Sequence, residues 1–327
     1  MSGSRLRRQR SVERSEKAGC QDKRLFFDSF IVYHWSHITG IIMRIVVAVD
    51  WSDQSFNAVQ ETVRLYSPQE LTLVHAVDLG FLEKPAVAQA MNVQGYDEYR
   101  KGMVAAGQEL LNRCAALLPA RIATVRRVCK VGSPAPVILD AVQAEQADLV
   151  VLGARERGRI GELFLGSVSH RVLVHAPCSV YIVKRPMAEL RRILLPIEET
   201  QDASRIHRWF IANPIGARTD MTILHVVPIF RPHESVIIPQ LELWTEKALR
   251  SAHELVNEAV ALFRDAGHTV AGRVLKGEPV DVIAEEAATH DLVIAGSHAR
   301  KGLERFLLGS VSHTLSHRVA GPILIVR

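Results

Sequence analysis

Cysteine is scarce, with four in 327 residues. Cys20, Cys114, Cys129 and Cys178 form no Cys-x-x-Cys pair and no zinc-ligand spacing. That excludes a disulfide-stapled scaffold and fits thiols packed as small apolar groups in a reducing compartment, with no disulfides expected. The 14 histidines are scattered without a His-Glu-x-x-His pattern, so no metal site is predicted. A Walker-type phosphate loop with its lysine is lacking, as is the Gly-x-Gly-x-x-Gly of dinucleotide domains. Long apolar runs are lacking too. The most apolar early stretch, residues 25–42, is interrupted by Asp28, Ser29, His34, Ser36, His37 and Thr39, too often to cross a bilayer. No clean apolar region with a small-residue cleavage site marks a secretory signal, and a cytoplasmic location is expected.

A large excess of either charge is also missing once the chain is divided. The pI of about 9.1 invites a nucleic-acid reading. However, eight of the 40 Lys and Arg lie in residues 1–42 with only four of the 35 acids, leaving 32 bases against 31 acids in residues 43–327. A phosphate-tracking surface needs clustered basic charge, so neither nucleic acid nor a membrane is expected as the partner of the body. Met43 runs directly into the apolar stretch 44–49. Residues 1–42 are therefore expected to lie outside the fold, as a disordered extension or as upstream sequence from a mis-assigned start. A basic tail docking on nucleic acid or anionic lipid is the alternative.

What is present is a duplication. GARERGRIGELFLGSVSHRVLVHAPCSVYIV from Gly153 aligns without a gap with GSHARKGLERFLLGSVSHTLSHRVAGPILIV from Gly296. Around these blocks the same order recurs. Residues 45–50 match 193–198, 73–77 match 223–227, and Lys130-Val131-Gly132-Ser133-Pro134 matches Leu275-Lys276-Gly277-Glu278-Pro279. Within each half, short apolar runs alternate with longer amphipathic stretches, the pattern of a parallel sheet with helices on both faces. The predicted strands are 44–49, 70–77, 122–130, 148–153 and 178–184, then 192–197, 221–227, 268–275, 291–295 and 322–326. Phe56, Val59, Val63 and Tyr66 share one helical face behind a Ser52/Asp53 cap; Met103, Ala106, Leu110, Cys114 and Leu117 share another.

The fold class is thus α/β: two tandem doubly wound domains, each a five-stranded parallel sheet ordered 3-2-1-4-5, with a crevice where the order reverses. The expected units are 43–185 and 192–327, with 186–191 as a linker short enough to keep them packed together.

The loop after the fourth strand carries the chemistry. In each half a Gly ends the strand, and after twelve intervening residues Gly-Ser-Val-Ser opens a helix: Gly153 to Gly166-Ser167-Val168-Ser169, and Gly296 to Gly309-Ser310-Val311-Ser312. Glycine lets backbone approach a ligand, free N–H groups at a helix start attract anions, and a Ser hydroxyl donates or caps. The alternative is that these glycines only turn the chain and the serines only cap it. His75 and His225 end their strands inside the fold and are expected to be hydrogen-bonded interior residues. His170 and His313, after the two Gly-Ser-Val-Ser turns, are expected on a helix surface or interface.

These motifs resemble the universal stress protein family over residues 43–327. Its ATP-binding members carry Gly, two residues, Gly, nine residues, then Gly with Ser or Thr, and an Asp at the end of the first strand. The H-x-V ending of the second strand and the G-x-P opening of the third helix belong to the same resemblance. It implies Asp50 near the adenosine, Val77 as a base contact, Gly132 before the third helix, and Gly153, Gly166 and Ser167 around the phosphates. In the second half it implies Glu198, Val227, Gly277, Gly296, Gly309 and Ser310. The implied ligand is ATP, as a switch ligand in place of a substrate, with magnesium as its accompanying ion. Both halves depart from the pattern. Glu156 replaces the second glycine of the first half, where Arg155, Arg157 and Arg159 offset its charge; Ala299 replaces that of the second, beside Arg300 and Lys301. Glu198 stands where the Asp would be. By the same resemblance, the last strands of the two halves pair as an intramolecular pseudo-dimer, with homodimerisation open.

Three functions are weighed. The first is a stress-response regulator with partly degenerate ATP binding, with no catalytic residues. The second is a nucleotide-independent protein-interaction and assembly module. The third is a slow ATP hydrolase or phosphoryl-transfer enzyme, whose turnover Ser310→Ala or Asp50→Ala would abolish.

Overall fold

The computed structural model describes residues 43–82, 87, 93–154, 165–215, 219–229, 241–265, 268–297 and 308–327. The first half runs β1 (Arg44–Ala48), α1 (Asp53–Leu65), β2 (Glu70–Val77), α2 (Val93–Ala115), β3 (Thr124–Val131), α3 (Pro134–Ala144), β4 (Leu149–Gly153), α4 (Ser167–His175) and β5 (Ser179–Val183). The second half runs β6 (Arg192–Pro196), α5 (Thr200–Ala212), β7 (Asp220–Pro228), α6 (Leu241–Asp265), β8 (Thr269–Gly277), α7 (Pro279–Ala287), β9 (Leu292–Gly296), α8 (Ser310–Arg318) and β10 (Ile323–Val326).

The strands form one ten-stranded sheet, ordered β3-β2-β1-β4-β5-β10-β9-β6-β7-β8. Each half therefore has the 3-2-1-4-5 order, all parallel within itself. The halves meet at an antiparallel pair, the one such pair among the described strands, with Leu324 opposite Tyr181 and Ile325 opposite Val180. Pairing β5 with β10 removes two exposed strand edges. The remaining edges, β3 and β8, carry charges; Arg126 on β3 is held by Glu70 and Glu145 at 3.0 and 2.8 Å.

Alternation along the strands sorts the core into two layers. Ile45, Val47 and Val49 face α1 and α2 through Ala58, Val59, Leu110, Leu111 and Cys114. Val46 and Ala48 face α3 and α4 through Val137, Ile138, Ala141, Val172 and Leu173. Both layers continue through the seam into the second half, by way of Tyr181 and Leu324 on one face and Val180 and Ile325 on the other. Ser52 caps α1 as predicted, accepting from the Ser55 N–H. Leu117 departs from the predicted α2 face: the helix ends at Ala115, and Leu117 turns out to solvent.

The connection between halves is fastened at both ends. The Met187 N–H donates to the buried Glu61 carboxylate at 3.2 Å, and the Arg64 guanidinium donates to the Met187 carbonyl. The Arg191 and Arg192 N–H groups both donate to Asp291 Oδ2, at 2.9 and 2.8 Å. Tyr66 meets Trp209 edge to face at 5.7 Å between ring centres. None of the described helices is long and apolar enough to cross a membrane.

Candidate functional site

In each half the middle strand and its β4-type neighbour end side by side, where one helix leaves toward each face of the sheet. This is the reversal point at which doubly wound folds gather ligands. Asp50 stands at this point in the first half. Its Oδ1 accepts from the Ser52 N–H at 2.9 Å and the Ser55 hydroxyl at 2.7 Å, and from the Ser52 hydroxyl, while its own N–H donates to Ser55 Oγ at 2.8 Å. The half-buried carboxylate is thereby oriented by the cap of α1.

The second half solves the same position differently. Glu198 is exposed, and its backbone N–H, with that of Glu199, donates to Asp202 Oδ2 at 3.0 and 3.1 Å. Glu199 and Asp202 form a reciprocal capping box at the start of α5. The buried carboxylate at this strand end is therefore Asp202, reached from the helix. Arg205 lies 3.9 Å from its Oδ1 and donates to the Ser297 carbonyl at 3.4 Å. Aligning the repeats pairs Glu198 with Asp50 and leaves Asp202 and Arg205 unmarked; the Glu199/Asp202 spacing at a helix start was the available signal.

The motif glycines divide by physical cause. Gly153 ends β4, where an added Cβ would stand 2.7 Å from the Gln54 carbonyl oxygen. At Gly296 it would stand 2.8 Å from Asp202 Oδ1. These two are glycines because a helix start packs against the strand end. Gly132 and Gly277 have φ of +150° and +156°, conformations that only glycine adopts without strain. Gly166 differs from all of these. Its φ is −63°, and an added Cβ would meet nothing within 4 Å among the described residues. Gly309 has an equally ordinary φ of −62°.

At the start of α4 and of α8 no side chain among the described residues caps the helix, and Ser167 and Ser310 are exposed. The later serine of each motif ties the turn to the sheet: Ser169 donates to the Gly153 carbonyl at 3.2 Å and Ser312 to the Gly296 carbonyl at 2.6 Å. Among the described residues, no side chain caps the first-turn N–H groups of α4 and α8.

The strand 2 residues come to the same end of the sheet. The Gly132 N–H donates to the Val77 carbonyl at 3.0 Å, and Pro228 stands opposite Gly277, one residue beyond Val227. The Val77 and Val227 side chains are buried, Val77 beside Leu79 and Leu82, so these residues offer the crevice backbone groups. His75 Nδ1 lies 2.9 Å from the Val49 carbonyl, and His225 Nδ1 lies 2.9 Å from that of Ile197. Each histidine pins its strand to the middle one, in the interior role expected of it. Glu156 and Ala299, with Arg155, Arg157, Arg159, Arg300 and Lys301, lie outside the described residues, as does Cys20. Cys114, Cys129 and Cys178 are free, and burial pushes the thiols of Cys114 and Cys178 up to about 11 and about 12. They are packing groups.

The profile of the Universal stress protein family matches residues 42–184 and again 189–327. A universal stress protein of Mycolicibacterium smegmatis is 27% identical over 296 residues, covering 86% of this chain and 96% of the relative. One from Mycobacterium tuberculosis is 26% identical over 272 residues, covering 79% and 87%. Among solved structures, a universal stress protein from Archaeoglobus fulgidus superposes with a TM-score of 0.61 at 18% identity, covering 87% of this chain and 98% of its own. This chain belongs to the universal stress protein family, with two copies of the family's domain in tandem.

Proposed function

We propose that this protein is a stress-response regulator whose two halves, 43–185 and 192–327, bind adenine nucleotide at unequal sites, with ATP acting as a switch ligand. The observation that carries this is Gly166. Neither its backbone angle nor any described residue around it requires glycine, yet it stands at the start of α4, where no described side chain caps the helix and first-turn N–H groups suit a phosphate. A side chain there is compatible with the fold and incompatible with close approach of an anion. In the first half, Asp50 and the backbone of Val77 and Gly132 converge on the same end of the sheet to meet a nucleoside.

Gly166→Asp is the direct test. It is expected to leave the thermal midpoint within a degree or two of the parent while abolishing calorimetrically detected ATP binding to the first half. Nucleotide released on denaturing freshly purified protein, identified by mass spectrometry, is the companion measurement. Protein that carries none and gives no heat with ATP would sink the proposal.

One observation favours a second reading, a module that works through protein contacts alone. Gly153 and Gly296 are accounted for by helix packing, and the buried Asp202 is engaged at its own helix start. On that reading Gly309→Asp leaves partner binding and the stress phenotype intact. In both readings the protein is a regulator and not an enzyme.

A further inference from the structure

The duplication brings together histidines from α4 and α8, helices far apart in the chain. His170 on α4 and His313 on α8 occupy equivalent places in the repeat, and their Nε2 atoms lie 2.9 Å apart across the boundary between the halves. His317 follows His313 by one helical turn and so lies on the same face of α8. Ring nitrogens of all three lie within 4.8 Å of one another. The rings meet edge to face or tilted, with centres 5.1 to 5.6 Å apart. The Nε2 of His317 is buried and has no hydrogen-bond partner among the described residues.

We propose that His170, His313 and His317 form a site for one divalent transition-metal ion of the imidazole-binding class, zinc or a zinc-like ion, that clasps α4 to α8. Three imidazoles match the donor set that zinc, cobalt, nickel and copper accept, the fourth position of a tetrahedral ion being left to an exchangeable ligand. Tetrahedral zinc at ~2.1 Å from each nitrogen sets neighbouring nitrogens ~3.4 Å apart. That separation falls between the 2.9 Å of the His170–His313 pair and the 4.8 Å limit of the triad, so small ring rotations suffice. The buried, unpartnered nitrogen of His317 would gain its missing partner in the ion.

Two of the ligands are also biased toward the neutral form that a metal requires. Burial lowers the pKa of His170, with His313 and His175 adding to the effect. Burial lowers that of His317 as well, followed by His313, His170 and Lys184. The one cation opposing a metal among these, Lys184, is buried, donates to the Val319 carbonyl, and has its pKa pushed down to about 8. The first half has Val174 where the second has His317, so a single difference between the repeats turns a pair of histidines into a triad.

The experiment is a cobalt titration of the full, tag-free chain after chelator treatment, read by visible absorption and by the thermal midpoint. One Co2+ per chain is expected, with a raised midpoint that added chelator reverses. His317→Val installs the residue of the equivalent position and is expected to weaken binding by ~100-fold or more. His170→Ala, which removes the ligand from the other half, should do the same. The exposed His253→Ala serves as the control that leaves binding unchanged. No stoichiometric binding at sub-millimolar Co2+, or binding unaltered in both His317→Val and His170→Ala, would overturn the proposal.

Discussion

Gly132 and Gly166 look alike in a motif and differ in kind once their surroundings are known. At Gly132 a side chain would have to adopt φ +150° with its Cβ 3.1 Å from Val137 Cγ2. Gly132→Ala is therefore expected to cost ~1–3 kcal/mol of unfolding free energy, while Gly166→Ala stays within ~0.5 kcal/mol of the parent in a denaturant titration. The spacing of these glycines was legible in the sequence. Their separate causes were not, because backbone angle and Cβ environment are set by elements far apart in the chain.

Glu61 shows the same limit from the opposite side, as a charged residue on a helix that turns out to be buried. Burial raises its carboxyl above the ordinary 4.5, more than Arg64 and the Met187 N–H lower it. The folded chain thus holds this proton more tightly than the unfolded chain does. The stabilisation is complete below pH 4.5 and is lost as pH rises through the raised folded value. Glu61→Gln keeps an oxygen for the Met187 N–H and cannot ionise. Its stability is expected to fall less steeply than the parent's over that window, in denaturant midpoints taken at successive pH values. Equal slopes would remove Glu61 as the cause.

At the scale of elements, the strands fall within two residues of where alternation of apolar runs placed them, because period-2 burial is a local signal. Helix starts were harder to read. The first serine of Gly-Ser-Val-Ser drew attention as a cap or phosphate donor, yet it is the second that fixes the turn, through Ser169 to Gly153 and Ser312 to Gly296. Ser312 is buried, so Ser312→Ala leaves the Gly296 carbonyl without this donor. A loss of ~1–3 kcal/mol is expected, larger than for an exposed serine such as Ser310→Ala. Thermal unfolding of the two variants side by side measures the difference. Asp202 was likewise hidden, because aligning the repeats strand by strand pairs Glu198 with Asp50 while the working carboxylate comes from the next helix. His313 and His317 sit four apart on one face of α8, a chelating spacing in plain view, but their partner His170 is supplied only by the meeting of the two halves.

At the scale of the whole molecule, the antiparallel joining of β5 and β10 makes one sheet of two domains and lets each core layer pass through the seam. Val47, Leu110 and Tyr181 share a layer with Leu324, Trp209 and Phe263. The Glu61, Arg64 and Met187 contacts and the Tyr66–Trp209 pair fasten the same region from outside the sheet. Domains that share a core of this kind cannot open one at a time without exposing the apolar face of the other. Phe263 is buried at 1% exposure in the second half, so Phe263→Ala is expected to cost ~3–5 kcal/mol. If the seam couples the halves, the slowest-exchanging amides of β1 and β2 should accelerate by the same free energy as those of β6 and β7 in native-state hydrogen exchange. Independent halves predict the alternative pattern, in which β6 and β7 accelerate and β1 and β2 keep the parental rates. That outcome would confine the coupling to the strand pair itself and leave the shared core layers as neighbours without a common unfolding unit.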